Sequence, residues 1–321
     1  MQDFVRSIFT SALNNCISEG LSSGLSENEI ISKLNDQKIQ NSFTTLIDNI
    51  TDECISNVHN DLYECILQRR RNDEHFRAHN KQIWEKGFIT SEMMYHIVTD
   101  AAGDYQNYFG DLPEEQKEEI QYRYTVISQL HGRACQQFLE ILCLLKAGFA
   151  DGAFARWRSM YELCVIAQFI KQNDERVAKA YYEESFSDNG KCEWAKHASC
   201  FANCKRVTFS EIQKQCSEVT EKWEMQYKLS NSVIHSGPGG TFSRLCKPQD
   251  SDVVAIGPSD YGLAMPAANS AIVLAIISSI YFTLLHIGDG YVFAKVASVW
   301  AGEVRKTYSE IEATCFKNDN E

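Results

Sequence analysis

The chain lacks the alternation of apolar and polar residues that marks β-strands, and this limits its fold more than any other feature. Runs in which Val, Ile and Thr alternate with polar residues are rare, and no Asn-Gly or Asp-Gly turn separates such runs. Only five prolines occur in 321 residues. The pattern predicts an all-α protein, a multi-helix bundle, and a hydrophobic content of 44% is enough for a real core.

One stretch, from Gly262 to Gly288, contains no charged residue and is nearly long enough to span a bilayer. Polar residues such as Asn269 and His286 interrupt it, Pro266 lies near its start, and no Lys/Arg asymmetry flanks it. A buried central helix is the favoured interpretation. Membrane anchoring through residues 266–287 is the weaker alternative, so we expect no membrane partner.

The cysteines indicate a cytoplasmic protein. Twelve of them are scattered along the chain, and the N-terminal residues lack the basic-then-apolar layout of a signal peptide. Scattered thiols without a secretion signal are typical of reduced proteins, in which many cysteines are buried.

The net charge of −12 disfavours a protein that coats nucleic acid nonspecifically, because a broad phosphate contact needs a basic face. A small local site remains compatible with this charge. The segment 68–87 is a local exception with six basic residues, including Arg69, Arg70 and Arg71, and a solvated helix face is its favoured interpretation.

The loop Phe109–Pro113 is the predicted boundary between an N-terminal helical region, 1–112, and a second domain, 113–321. The predicted helices of the first region are Asp3–Glu19, a short one after the Ser26 and Glu29 capping-box pair, Ser42 to about Arg71, and further pieces up to Tyr108. Those of the second region run from Pro113 to about Lys146, from Ala153 to Gln172, up to His235, through the apolar stretch, and from Tyr291 to about Phe316.

The predicted helix Ala153–Gln172 is apolar nearly all round, which is typical of a buried helix. It nevertheless carries Arg156, Arg158 and Glu162. Arg158 and Glu162 are four residues apart and can form an ion pair, whereas Arg156 points elsewhere. Two interpretations stay open, a structural ion pair that fixes packing and a polar cluster that faces a cavity.

The helix that ends near His235 carries a polar stripe made of Glu224, Lys228, Asn231 and His235. The negative end of the helix dipole favours the charged form of His235 there, so this residue is a candidate for proton transfer, and Asn231 is a candidate to hold the ring or a phosphate oxygen. A histidine that only caps its own helix is the simpler alternative.

Metal and cofactor signals are weak. Cys192, His197, Cys200 and Cys204 lie close in sequence, but they lack the paired spacing of a structural zinc site. No nucleotide-binding, metalloprotease or serine-hydrolase motif occurs. We therefore expect no metal and no cofactor.

Taken together, the buried helix with Arg156 and Glu162 and the downstream element Leu229–Ser236 resemble a bacterial family of helical domains without an assigned function, over roughly residues 115–290. Asn231 and His235 are also similar to the active-site motif of the HEPN superfamily, all-α domains that include many RNases of toxin and antiviral systems. The motif arginine of those RNases falls on Ser230 in this chain.

The resemblance implies a HEPN-like domain and a metal-independent RNase or toxin-type effector of a bacterial defence or toxin–antitoxin system. It implies His235 and Asn231 as catalytic residues, with Lys228, Arg156 or Arg158 beside Glu162 in place of the missing arginine. RNA, a homodimeric partner and an antitoxin protein are the implied partners. The competing hypothesis is a noncatalytic helical binding or scaffold module with a buried Arg-Glu-His network.

Overall fold

The computed structural model describes residues 2–34, 37–186, 192–220, 223–234, 238–242, 244–248 and 254–316. These residues are almost entirely helical, and no β-strand occurs among them. The predicted all-α class is therefore confirmed for the described part of the chain.

The chain divides into two compact units, with the boundary between His75 and Phe76. The first unit contains α1 (Gln2–Ser22), α2 (Glu27–Leu34) and the beginning of the 74-residue helix α3 (Gln37–Gly110). The predicted cap of α2 is present, since the Glu29 carboxylate accepts hydrogen bonds from the backbone N–H and the hydroxyl of Ser26, at 2.8 Å and 2.6 Å.

Helix α3 is continuous where the sequence predicted several shorter helices. Neither glycine nor proline occurs between residues 37 and 86, so nothing in this segment ends the helix, and Gly87 and Gly103 are accommodated inside it. The helix ends at Gly110, within the predicted loop. The domain division at residue 112 stays a prediction.

The second unit is built on α4 (Glu114–Lys146), α5 (Ala150–Gln172), α11 (Ala264–Phe282) and α12 (Gly288–Cys315), joined by the part of α3 that begins at Phe76. That part of α3 contributes fully buried residues such as Trp84, whose ring stacks on Tyr308 of α12 at 5.6 Å. The core thus lies between long helices, as expected for a bundle.

The turn between α4 and α5 requires glycine. Gly148 has φ +79°, and a Cβ there would lie 2.5 Å from the ring of Phe76. After this turn α5 packs along α4, and the two helices form the predicted helical hairpin.

Helix α11 is long and apolar enough to cross a membrane, but 78% of its most apolar window is buried inside the fold. It packs against α4, α5 and α12, as the interpretation of a central core helix requires. The burial of its apolar surface against protein supplies a large share of the hydrophobic stabilisation of this unit.

Between α5 and α11 the chain forms short elements. They are α6 (Glu175–Glu184), two 3₁₀ helices (Cys192–His197 and Ser199–Phe201), α7 (Phe209–Lys214), α8 (Ser217–Thr220), α9 (Glu224–Ile234) and α10 (Pro238–Phe242). Thr208 and Glu211 form a capping box that starts α7. Within this segment α9 packs against α5, and most of the candidate site residues lie on these two helices.

Candidate functional site at the contact of α5 and α9

Aromatic rings hold α9 against α5. Trp157 of α5 is fully buried, and its ring lies 5.6 Å from that of Trp223, directly before α9. One turn further along each helix, the rings of Tyr161 and Tyr227 lie 5.2 Å apart. Such pairs stabilise a contact beyond the area that they bury, so they help to hold α9 on α5.

A polar cluster lies beside these rings, made of Arg158, Glu162 and Tyr227, and we call it the Arg158 cluster. The guanidinium Nη2 of Arg158 lies 3.2 Å from Oε1 of Glu162, as the spacing predicted, and donates to the Tyr227 hydroxyl at 3.3 Å. The same hydroxyl donates to Oε1 of Glu162 at 3.0 Å. The three side chains therefore form a closed triangle that joins α5 to α9.

The Arg158 cluster is half-buried rather than fully buried. The side chains of Arg158 and Glu162 are 22% and 34% exposed. The guanidinium also lies over the Tyr227 ring, 5.2 Å from its centroid, and burial raises the pKa of the Tyr227 hydroxyl. The Arg158 guanidinium is therefore held by Glu162, by the Tyr227 hydroxyl and by the Tyr227 ring, while part of its side chain stays accessible to a ligand from solvent.

The other two candidate cations lie elsewhere. Arg156 forms an ion pair with Glu140 of α4, which agrees with the prediction that it points away from Glu162. Lys228 is exposed on α9 and pairs with Glu224 at 2.6 Å. Of the three cations proposed to replace the motif arginine, Arg158 is the one that contacts both α5 and α9.

Asn231 lies one helical turn after Tyr227, on the same face of α9. Its Oδ1 is buried and has no hydrogen-bond partner among the described residues, and the same holds for Nε of Arg158. A buried polar atom without a partner costs free energy, so these two atoms could each form a hydrogen bond with a ligand or a water molecule.

Ser230 occupies the position that the resemblance assigns to an arginine, and it is fully buried. Its hydroxyl donates to the backbone carbonyl of Tyr227 at 2.8 Å. A guanidinium at this position would have to be buried without a carboxylate of its own, which is costly. Serine therefore suits the local packing, and a phosphate-binding cation has to come from another element.

His235, the predicted catalytic histidine, lies outside the described residues. Helix α9 ends at Ile234, directly before it. The catalytic assignment of His235 and the buried Arg-Glu-His network of the competing hypothesis both stay predictions. The Arg-Glu part of that network is half-buried.

The Cys192, His197, Cys200 and Cys204 group does not assemble into a metal site. All four residues are described, and no three His, Cys, Asp or Glu side chains of the described residues form a group that could hold a metal ion. Cys200 and Cys204 are exposed, whereas Cys192 is half-buried in a 3₁₀ helix, where burial raises its pKa.

Sequence reasoning missed Tyr227 as a site residue, because Tyr227 lies one helical turn after Trp223 and both fit the apolar face of the same helix. Its spacing of four residues from Asn231 was the signal that could have found it. Gln213 was missed too, and its side-chain amide donates to the Tyr161 hydroxyl at 3.0 Å. That bond ties α7 to α5 beside the Arg158 cluster.

Residues 124–247 match the model of a family of unknown function, DUF5677. The match begins inside α4 and includes α5, α9 and the whole Arg158 cluster. It agrees with the expected resemblance to a helical family without an assigned function, over a shorter range than 115–290. No curated protein and no solved structure matches the chain. The likeness to HEPN domains stays a prediction.

Proposed function

We propose that this protein is a metal-independent endoribonuclease whose active site lies where α5 meets the end of α9. The observation that carries the proposal is the contact of Arg158 with Tyr227, one turn before Asn231, because it brings a cation from α5 to the helix that leads into His235. A site of this size is compatible with a net charge of −12, since it needs only one or two phosphate contacts.

The chemistry follows from the side chains. In the proposed reaction the 2′-hydroxyl of the RNA attacks the adjacent phosphorus, and the bond to the 5′-oxygen breaks. His235 transfers the proton at one of these two oxygens. Arg158 stabilises the negative charge that develops on the phosphate, and Asn231 orients the phosphate or the imidazole. Since no metal takes part, the activity persists in EDTA.

The ion pair between Arg158 and Glu162 is part of the proposal. Glu162 and Tyr227 hold the guanidinium in one position before substrate arrives, which limits the reorganisation needed in the transition state. A phosphate would reach this guanidinium on the part of the Arg158 side chain that stays exposed, since 22% of it is open to solvent.

The decisive experiment compares the purified 321-residue chain with its His235→Ala variant on total bacterial RNA in the presence of EDTA. We expect cleavage by the wild type and its loss in the variant. His79→Ala is the matched control, since His79 is 59% exposed on α3 and outside the proposed site. Arg158→Ala should lower the rate by about 10²-fold or more. Equal cleavage by wild type and His235→Ala would exclude the proposed active site.

The biological setting proposed with this activity is a toxin-type effector of a bacterial defence or toxin–antitoxin system in the cytoplasm. It would act as a homodimer and be restrained by an antitoxin protein. Growth arrest on expression of the wild type, relieved by His235→Ala, is the expected result in cells.

A noncatalytic binding or scaffold module is the second candidate, and one observation favours it. Arg156 and Arg158 each form a partly buried pair with a carboxylate of the same chain, as expected for ion pairs that fix packing. The double variant Arg158→Ala/Glu162→Ala separates the two candidates. A folded protein that has lost RNA cleavage supports the RNase, whereas a large loss of thermal stability, with no cleavage by the wild type either, supports the module.

A further inference from the structure

The part of α3 that belongs to the first unit exposes an apolar stripe. Ile55, Val58, Leu62 and Ile66 are 52%, 44%, 46% and 41% exposed. At roughly 100° per residue their spacing of three, four and four residues keeps them within a sector of about 80° on the helix surface. We call these four residues the α3 stripe.

The α3 stripe lacks a packing partner in the described chain, since nearly every residue between 51 and 75 is exposed. A solvated helix gains little stability from its backbone alone, and long helices in water usually depend on burial of an apolar face. The spacing of three, four and four residues spans 11 residues, which is the repeat of right-handed coiled coils, in which a second helix covers the apolar residues.

The charges along the same segment divide into two blocks. The first block is acidic, without Lys or Arg from residue 39 to 68, and contains Asp48, Asp52, Glu53, Asp61 and Glu64. The second block is the run Arg69–Arg71, directly after the stripe. Within the described residues, neither block forms an ion pair. When two copies of this helix lie antiparallel, the acidic block of one copy therefore faces the basic block of the other.

We propose that the α3 stripe is covered by the same stripe of a second copy of this chain, in an antiparallel pair that crosses near residue 60. Val58 of each copy then lies against Leu62 of the other, and Ile55 lies against Ile66. Arg69–Arg71 of one copy come within about one turn of the acids at 48–53 of the other. A parallel pair would instead align each block with a block of the same sign, which is destabilising.

This pairing does not depend on the proposed RNase activity. The pairing that the resemblance implies would join two motifs around His235, whereas this surface uses α3 residues of the first unit. Each can be present without the other.

The first test is the mass of the 321-residue chain in solution, measured by sedimentation equilibrium over a range of concentrations. We expect a concentration-dependent shift from monomer to dimer, at least a tenfold weaker dimer in Val58→Asp and Leu62→Asp, and a dimer that weakens with added salt. Asn60→Asp is the matched control, because this exposed residue lies on the opposite face of the same helix. Circular dichroism of each variant checks that helix content is retained.

Charge reversal tests the orientation. In an antiparallel pair, Arg69→Glu/Arg70→Glu/Arg71→Glu and Asp48→Lys/Asp52→Lys/Glu53→Lys each weaken the dimer, and the chain with all six substitutions regains it. In a parallel pair neither triple variant brings more like charge together than the wild type does. A wild type that stays monomeric, an association constant that Val58→Asp leaves unchanged, or a six-substitution chain that associates no more tightly than the two triple variants would each overturn the proposal.

Discussion

The Tyr227 hydroxyl on α9 donates to Oε1 of Glu162 on α5 across 3.0 Å, and the same carboxylate oxygen is the one that pairs with Arg158. One oxygen of Glu162 therefore serves both the ion pair within α5 and the connection to α9. Displacement of α9 would change the environment of the guanidinium, so the packing of the two helices and the electrostatics of the candidate site are coupled.

Tyr227→Phe removes this connection but keeps the ring. We expect a loss of about 1 kcal/mol in the free energy of unfolding, because the aromatic contact with Tyr161 remains and only the hydroxyl bonds are lost. Urea unfolding measures it. Tyr182→Phe is the control, since its hydroxyl makes no hydrogen bond within the described residues and should change stability by less than about 0.5 kcal/mol. Equal losses in the two variants would show that the hydroxyl of Tyr227 contributes nothing specific.

Two glycines of α12 give opposite predictions for the same substitution. A Cβ at Gly290 would lie 2.1 Å from the backbone oxygen of Phe282 and 3.0 Å from the Tyr105 ring, so Gly290→Ala forces the backbone of α11 and α12 apart. We expect a loss of about 2 kcal/mol or more.

A Cβ at Gly302 would have no neighbour within 4 Å, and Gly302→Ala replaces a flexible residue inside a helix. We expect a gain of about 0.5–1 kcal/mol. Thermal unfolding of the two variants beside the wild type measures both effects. Melting temperatures that move in the same direction would contradict the packing of α12 on α11.

The helices that the sequence predicted best are those with both a start signal and an apolar period. Pro113 marks the start of α4, and the apolar run after Gly152 marks α5, so both helices lie within a few residues of their predicted bounds. The uninterrupted length of α3 was not predicted. Apolar periodicity indicates a helix over a window of 11–18 residues, and it does not show whether successive helical windows join into one helix.

The candidate site could be predicted only in part. The pair of Arg158 and Glu162 follows from helical spacing alone. The partner of Arg156 is Glu140, which lies on α4, and the partner of Glu162 on α9 is Tyr227. Such contacts between separate helices depend on how the helices pack, and a single sequence does not encode that packing in any local pattern.

The last prediction concerns His131 of α4, which is buried in the core of the second unit. Its Nε2 lies 2.9 Å from the Ser278 hydroxyl of α11, and its ring stacks on Tyr281 at 5.0 Å. Burial lowers the pKa of His131 from 6.5 to about 4, because the charged imidazolium loses its hydration there. The folded protein therefore holds this histidine neutral at pH 5, whereas the unfolded chain protonates it.

The stability contributed in this way is complete above pH 6.5 and is lost as the pH falls from about 6.5 towards 4. Each pH unit in that window removes about 1.4 kcal/mol, to a total of about 3 kcal/mol. His131→Phe keeps the stacking on Tyr281 but removes the titration, so its unfolding free energy should depend less on pH between 6.5 and 4 than that of the wild type. Urea unfolding at several pH values measures the two slopes, and His197→Ala is the control, since His197 is exposed. Parallel curves for wild type and His131→Phe would mean that the folded protein protonates His131 as readily as the unfolded chain does, which would contradict the lowered pKa that burial gives this residue.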